Sequence, residues 1–86
     1  MKRILLAVLL TSASTLALAG PTCTDVPKDK WMPEAAFQKQ LTDQGYQIKK
    51  FKVTSGQCYE IYGMDKAGAK VEIYCNPVDG KVVKAK

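Results

Sequence analysis

Three cysteines are the most reactive side chains in this 86-residue chain: Cys23, Cys58 and Cys75. No Cys-x-x-Cys pair is present, so a thioredoxin-like redox motif is absent, and the natural count is one disulfide and one leftover thiol. The sequence contains no histidine. It therefore lacks the usual general base, the Ser-His and Cys-His dyads, and the commonest zinc or haem ligand. The cysteines with Met32 or Met64 could hold a soft metal, but their spacing has no ligand-like regularity. We predict no catalytic residues, no cofactor site and no metal site, and hence no enzyme.

Two carboxylates and two phenols recur in a second pattern. Glu60 and Tyr62 alternate in one apolar segment, and Glu72 and Tyr74 alternate in another. Two neighbouring carboxylates can perform acid–base chemistry. The alternative that we favour is an exposed sheet face with lysines nearby. These four side chains are our candidates for a surface that faces a partner.

Two further features have both a structural and a functional interpretation. Lys49, Lys50 and Lys52 form a basic patch, which either protects a strand edge from unwanted pairing or docks an acidic partner. Trp31 either closes the core beside the helix or anchors an interface. We favour the structural interpretation of both.

The first 19 residues have the composition of a signal peptide. Lys2 and Arg3 precede an apolar run, and Ala17-Leu18-Ala19 is typical of a cleavage site that leaves Gly20 as the new N-terminus. The alternative is a retained membrane anchor, but the run is shorter than the roughly 20 apolar residues of a spanning helix. We predict a periplasmic or secreted protein with no membrane anchor after cleavage. The formal charge of +5 falls by two when the segment is removed, which is too mild to predict a nucleic-acid partner.

One amphipathic helix is predicted over Pro33 to Gln44. Pro33 suits the first helical position, which places Met32 at the N-cap, and Gly45 suits the left-handed residue after the helix. Phe37 and Leu41 lie one turn apart and would face the core. Residues 20–30 before the helix are predicted to be an extended lead-in that Cys23 ties down.

An antiparallel sheet is predicted after the helix, because the apolar period changes to two. The first strand changes its apolar face near Lys49 and Lys50, and a β-bulge there would place all its apolar residues on the core side. Turn sequences then separate two more strands and a short edge segment. The fold class is α+β, with one N-terminal helix on a three- to four-stranded antiparallel sheet; the predicted strands are Tyr46–Val53, Cys58–Met64, Lys70–Cys75 and Lys81–Val83.

These motifs together resemble the PepSY domain, in the small stand-alone exported form found in bacteria. The resemblance places the domain at residues 31–84. It implies a protein-binding or regulatory module that restrains a peptidase or modulates a membrane regulator or other envelope protein. It implies no catalytic residues. Cys75 departs from the family pattern, in which an aromatic residue follows the tyrosine. The alternative to a binding module is a periplasmic thiol-disulfide or metal-handling accessory protein. The matching motifs are Trp31, Ala35-Ala36, Gly45-Tyr46-Gln47-Ile48, Cys58-Tyr59-Glu60-Ile61, Asp65 to Gly68, Val71-Glu72-Ile73-Tyr74, and Asn76-Pro77 to Gly80-Lys81-Val82-Val83.

The disulfide is predicted between Cys23 and Cys58, with Cys75 free and buried. A three-residue loop ending at Gly68 would place Tyr59 opposite Cys75 and turn Cys58 to the other face, where it cannot reach Cys75. A two-residue loop would instead place Cys58 opposite Cys75 and favour that pair. The resemblance favours the first choice, since small exported relatives carry one cysteine near the mature start and one before the Tyr-Glu strand.

Overall fold

The fold is one helix packed on a four-stranded antiparallel sheet, as the sequence predicts. The structure is a computed structural model that describes residues 20–86, so the predicted signal peptide lies outside the described residues. Within that range, no helix is long and apolar enough to cross a membrane. After a 3-10 turn at Lys28–Lys30, the elements are α1 (Glu34–Asp43), β1 (Gln47–Val53), β2 (Tyr59–Met64), β3 (Lys70–Cys75) and β4 (Val82–Ala85), and the strands pair in the order β1-β2-β3-β4.

The helix α1 begins one residue later than predicted, at Glu34. The ψ of 144° at Pro33 is not helical, and the Pro33 carbonyl accepts the first helical hydrogen bond, from the Phe37 N–H at 3.0 Å. Pro33 is therefore the N-cap rather than the first helical residue, and Met32 precedes the cap. The predicted end of α1 is confirmed. Gly45 has a φ of +102°, and the Tyr46 N–H donates to the Leu41 carbonyl in a Schellman-type cap.

The predicted bulge in β1 is confirmed at Lys49. Ile48 pairs with Gly63 and Lys50 pairs with Tyr62, so Lys49 has no partner in the β1–β2 register. The extra residue returns Phe51 to the core side of the sheet, where it packs with Ile48 against the core. The strands approach closely here, because a Cβ added to Gly63 would collide with the Gln47 carbonyl oxygen.

The β2–β3 turn determines which cysteines can pair. The Asp65 N–H donates to the Ala69 carbonyl at 2.8 Å, and Gly68 has a φ of +87°, so the loop has the predicted three residues. Tyr59 lies opposite Cys75 and Cys58 faces the other side. The disulfide joins Cys23 and Cys58, and Cys75 is free and buried; both predictions are confirmed.

The core lies between α1 and one face of the sheet. Phe37 stacks at a tilt on Tyr59 with ring centroids 4.8 Å apart, and Trp31 meets Tyr59 edge-on at 5.6 Å. The Trp31 indole N–H donates to the Val26 carbonyl, which confirms that Trp31 closes the core beside the lead-in. The buried core residues are Trp31, Phe37, Leu41, Tyr59, Ile61, Ile73 and Cys75.

Candidate functional site

The sheet face that points away from α1 gathers the four predicted partner-facing residues. Glu60 of β2 lies directly opposite Tyr74 of β3, and Tyr62 lies opposite Glu72, so the four side chains form two adjacent rows on one face. Lysines from β1 and from β4 and its C-terminal end flank both rows. We call this surface the open face; its residues are Lys50, Lys52, Glu60, Tyr62, Glu72, Tyr74, Lys84 and Lys86.

The predicted exposure of this face is wrong for two of the four residues. Tyr62 is exposed at 37%, but Tyr74 is only 4% exposed and Glu60 only 2%. For Tyr74, part of the cause is the lead-in, since a Cβ on Gly20 would come within 2.6 Å of the Tyr74 ring. Cys58 is also on this side of the sheet, so the disulfide to Cys23 holds the lead-in against the end of the open face.

Glu60 and Glu72 lie on the wall of a pocket of about 450 Å³. The Tyr74 hydroxyl donates to Glu72 Oε2 at 2.9 Å. The Lys52 amino group lies 3.7 Å from Glu60 Oε1, and the Lys86 amino group lies 4.0 Å from Glu72 Oε1. Among the described residues, none donates a hydrogen bond to Glu60 Oε2, which is buried. The pocket lining comprises Lys52, Val53, Thr54, Ser55, Glu60, Tyr62, Glu72, Tyr74 and Lys86.

The two carboxyl groups differ in proton affinity. Burial, followed by a hydrogen bond with Glu72, raises the pKa of Glu60 above its ordinary value. The same hydrogen bond, with smaller contributions from Tyr74 and Tyr62, lowers the pKa of Glu72. When the pair holds one proton, that proton therefore resides on Glu60, and Glu72 is the ionised acceptor.

The two tyrosines remain hydrogen-bond donors at ordinary pH. The hydrogen bond to Glu72, with desolvation and the charge of Glu60, raises the pKa of Tyr62 to about 12. Burial and then the hydrogen bond to Glu72 raise the pKa of Tyr74 as well. The open face thus combines two protonated phenols with a pair of carboxyl groups, which suits hydrogen-bonded recognition of a polar or charged group.

The cysteines offer little accessible chemistry. Cys23 and Cys58 are joined, with Cα atoms 5.0 Å apart. Burial raises the pKa of the Cys75 thiol to about 11, so the thiol stays protonated as well as inaccessible. Within residues 20–86, no three or more aspartate, glutamate or cysteine side chains lie together as a metal-binding group would.

Sequence reasoning missed the two lysines at the C-terminal edge of the open face. Lys84 lies opposite Tyr74, and Lys86 exchanges two backbone hydrogen bonds with Glu72. The predicted edge segment ended at Val83, whereas β4 ends at Ala85. Alternation over Lys84, Ala85 and Lys86 is the pattern that would have placed both lysines on one face.

The chain matches one known family. A model of the family described as "Peptidase propeptide and YPEB domain" matches residues 3–86. No curated protein and no solved structure shows a significant match.

Proposed function

The chain belongs to the peptidase propeptide and YPEB domain (PepSY) family, and from this premise we propose that it is a regulatory module that binds and restrains a partner protein. The family consists of propeptide or regulatory modules rather than catalytic ones. The proposed partner is another envelope protein, either a peptidase or a membrane regulator. The proposed location is the periplasm or the extracellular medium.

The open face is the observation that carries this proposal. The helix covers only one face of the sheet, and the other face presents a polar pocket with Tyr62 exposed at its rim. An exposed aromatic ring beside partly buried polar groups is typical of a protein interface. A module that acts by contact needs such a surface and needs no reactive group.

Two observations support export. A disulfide persists in oxidising compartments, and Cys23 and Cys58 form one here. Residues 1–19 have the basic start, apolar run and small-residue end of a signal peptide. N-terminal sequencing of the protein from its native cells should find Gly20 first, whereas Met1 on a membrane-bound product would contradict the proposal.

Site-specific photo-crosslinking tests the binding surface. A photoreactive phenylalanine analogue replaces Tyr62 on the open face, or the exposed Ala35 on α1 as the matched control. We expect a crosslinked envelope protein from position 62 and none from position 35. A partner captured at position 35 alone would move the interface to the helix and overturn the proposed surface.

An activity assay then tests restraint. If mass spectrometry identifies the captured partner as a peptidase, the wild-type protein should inhibit it, and Tyr62→Ala should weaken the inhibition about tenfold or more, as truncation of an interfacial aromatic residue does. Lys39→Ala on the exposed surface of α1 should leave inhibition unchanged. Equal inhibition by wild type and Tyr62→Ala would contradict the assignment of the open face.

A further inference from the structure

The Glu60 carboxyl group is incompletely satisfied where it faces the pocket. Its side chain is almost completely buried, and Oε2 receives no hydrogen bond from the described residues. Buried carboxylates are ordinarily paired or hydrogen-bonded, because an unsatisfied one is costly. Glu60 is one of the residues that line the pocket of about 450 Å³, so a group bound in the pocket lies beside this carboxyl group.

The nearest lysines do not fill this position. The Lys52 amino group lies 3.7 Å from Glu60 Oε1, and the Lys86 amino group lies 4.0 Å from Glu72 Oε1. Both distances are beyond hydrogen-bond length. Their side chains are 61% and 54% exposed, so solvent screens both charges. The centre of the open face therefore offers acceptor atoms, and its rim carries the positive charge.

We propose that this pocket binds a basic side chain of the partner, an arginine guanidinium that donates to Glu60 Oε2 and to Glu72. The inference rests on the proposed function, because it names the chemical group that the open face recognises. A planar guanidinium has five donors in a fork that matches paired carboxylate oxygens. The exposed ring of Tyr62 at the same pocket can cover one face of the guanidinium.

The lysine rim specifies the neighbours of that arginine. Lys50 and Lys52 flank the carboxyl pair on the β1 side, and Lys84 and Lys86 flank it on the other. A partner segment with several basic residues would be repelled by this rim, whereas acidic residues on either side of one arginine would be attracted. The preferred ligand is thus an arginine with acidic neighbours.

Binding also displaces a proton wherever the unliganded carboxyl pair holds one. The groups that face Glu60 are Lys52 from β1, Tyr62 from β2, and Glu72 and Tyr74 from β3; Lys86 reaches Glu72 from beyond β4. When the unliganded pair holds one proton, that proton resides on Glu60. The guanidinium brings its own N–H donors and favours the doubly ionised pair, so the proton passes to the buffer. Affinity should therefore rise with pH as the unliganded pair loses its proton.

A matched pair of peptides tests the inference on the purified, signal-processed protein. The probe is acetyl-Glu-Arg-Glu-amide, and the control replaces arginine with citrulline, which keeps the shape and acidic neighbours but removes the charge. NMR titration should shift the Tyr62, Tyr74 and Glu60 side-chain resonances, with the arginine peptide binding about tenfold or more tightly than the citrulline peptide. Equal binding of the two peptides, or no shift at these residues, would overturn the inference.

Glu60→Gln supplies the second arm. The amide keeps the size of Glu60 and can still donate to Glu72, but the variant should lose the preference for arginine. At a pH where the unliganded wild-type pair still holds a proton, calorimetry in buffers of different ionisation enthalpy should detect proton release from wild type and none from the variant. An unchanged arginine preference in Glu60→Gln would place the cation elsewhere and contradict the assignment.

These outcomes separate the inference from the proposed function. Partner capture through position 62 without arginine preference would leave the docking surface intact and remove the guanidinium pocket. Arginine preference without partner capture would leave the pocket and remove the regulatory role.

Discussion

Glu60 lies in the middle of the sheet and is buried. Small domains ordinarily place apolar residues at such buried positions. The Glu60 carboxyl group is buried beside a second carboxyl group, with the nearest ammonium 3.7 Å away. This arrangement weakens the folded state, because a residue of similar shape without charge would remove the desolvation cost. Such a cost is common where a residue serves recognition rather than stability.

The first prediction concerns Glu60 and pH. The raised pKa means that the folded state retains a proton that the unfolded state loses above about pH 4.5. The contribution of Glu60 is therefore fully present below that pH, and the free energy of unfolding falls as pH rises through the folded pKa. Glu72 has a lowered pKa, so its contribution is lost only on acidification, below the same value. Urea denaturation of Glu60→Gln should remove this decline and leave the variant about 1–2 kcal/mol more stable than wild type above the folded pKa of Glu60.

Asp25→Asn is the control for that experiment, because Asp25 is an exposed carboxylate in the lead-in. Its stability profile should run parallel to that of wild type. If Glu60→Gln also ran parallel to wild type as pH rises above about 4.5, Glu60 would not be the group that retains the proton.

The second prediction concerns Cys75. Its thiol is inaccessible, and burial holds its pKa at about 11, so iodoacetamide should not modify the native protein. In urea without reductant, mass spectrometry should find one alkylated cysteine, at Cys75, while the disulfide keeps Cys23 and Cys58 unmodified. Rapid labelling under native conditions would show that the sheet end at Cys75 opens readily.

At the scale of elements, the bulge in β1 depends on a glycine in the neighbouring strand. Gly63 lies opposite Ile48, where the bulged strand turns its backbone toward β2. The Gln47 carbonyl oxygen occupies the space that a Cβ on residue 63 would need. The bulge and Gly63 therefore act together to place the apolar side chains of β1 against the core.

The third prediction compares two glycines. Gly63→Ala should lower the free energy of unfolding by at least about 2 kcal/mol, since the backbone of β1 must move to admit the methyl group. Gly68→Ala meets no atom within 4 Å and suffers only the strain of its φ of +87°, which costs about 1 kcal/mol. Urea denaturation of both variants checks the order. Equal losses would indicate that β1 accommodates the methyl group without opening the bulge.

The elements themselves were largely predictable, because each depends on neighbouring residues. Alternation predicted the strands, the change of face at Lys49 predicted the bulge, and Gly68 predicted the register that keeps Cys58 from Cys75. The burial of Glu60 and Tyr74 was not predictable in this way. The lead-in lies against the Tyr74 ring and β4 pairs beside it, and alternation along one strand contains no information on neighbouring segments.

At the scale of the whole molecule, the lead-in joins the two faces of the sheet. It begins beside Tyr74 on the open face and reaches the core at Val26 and Trp31 on the other side. The disulfide and the hydrogen bond from the Cys23 N–H to the Gly56 carbonyl hold it at the crossing. The Gln57 amide adds a bond to the Thr24 carbonyl. The same segment therefore closes one end of the core and covers part of Tyr74 on the open face.

The fourth prediction is that this crosslink supplies much of the stability of so small a domain. The disulfide closes a sequence separation of 35 residues, which in the chain-entropy model stabilises by about 3–4 kcal/mol. The double variant Cys23→Ala, Cys58→Ala should therefore melt roughly 15 °C or more below wild type. Reduction should lower the melting temperature of wild type toward that of the double variant and leave the double variant unchanged, which controls for the side-chain substitutions. In the double variant, hydrogen exchange at residues 20–26 should rise more than exchange in β2 and β3, because the lost disulfide is what ties this segment to the sheet. If the double variant had the same melting temperature as wild type, packing of the lead-in, rather than the disulfide, would be what holds the domain together.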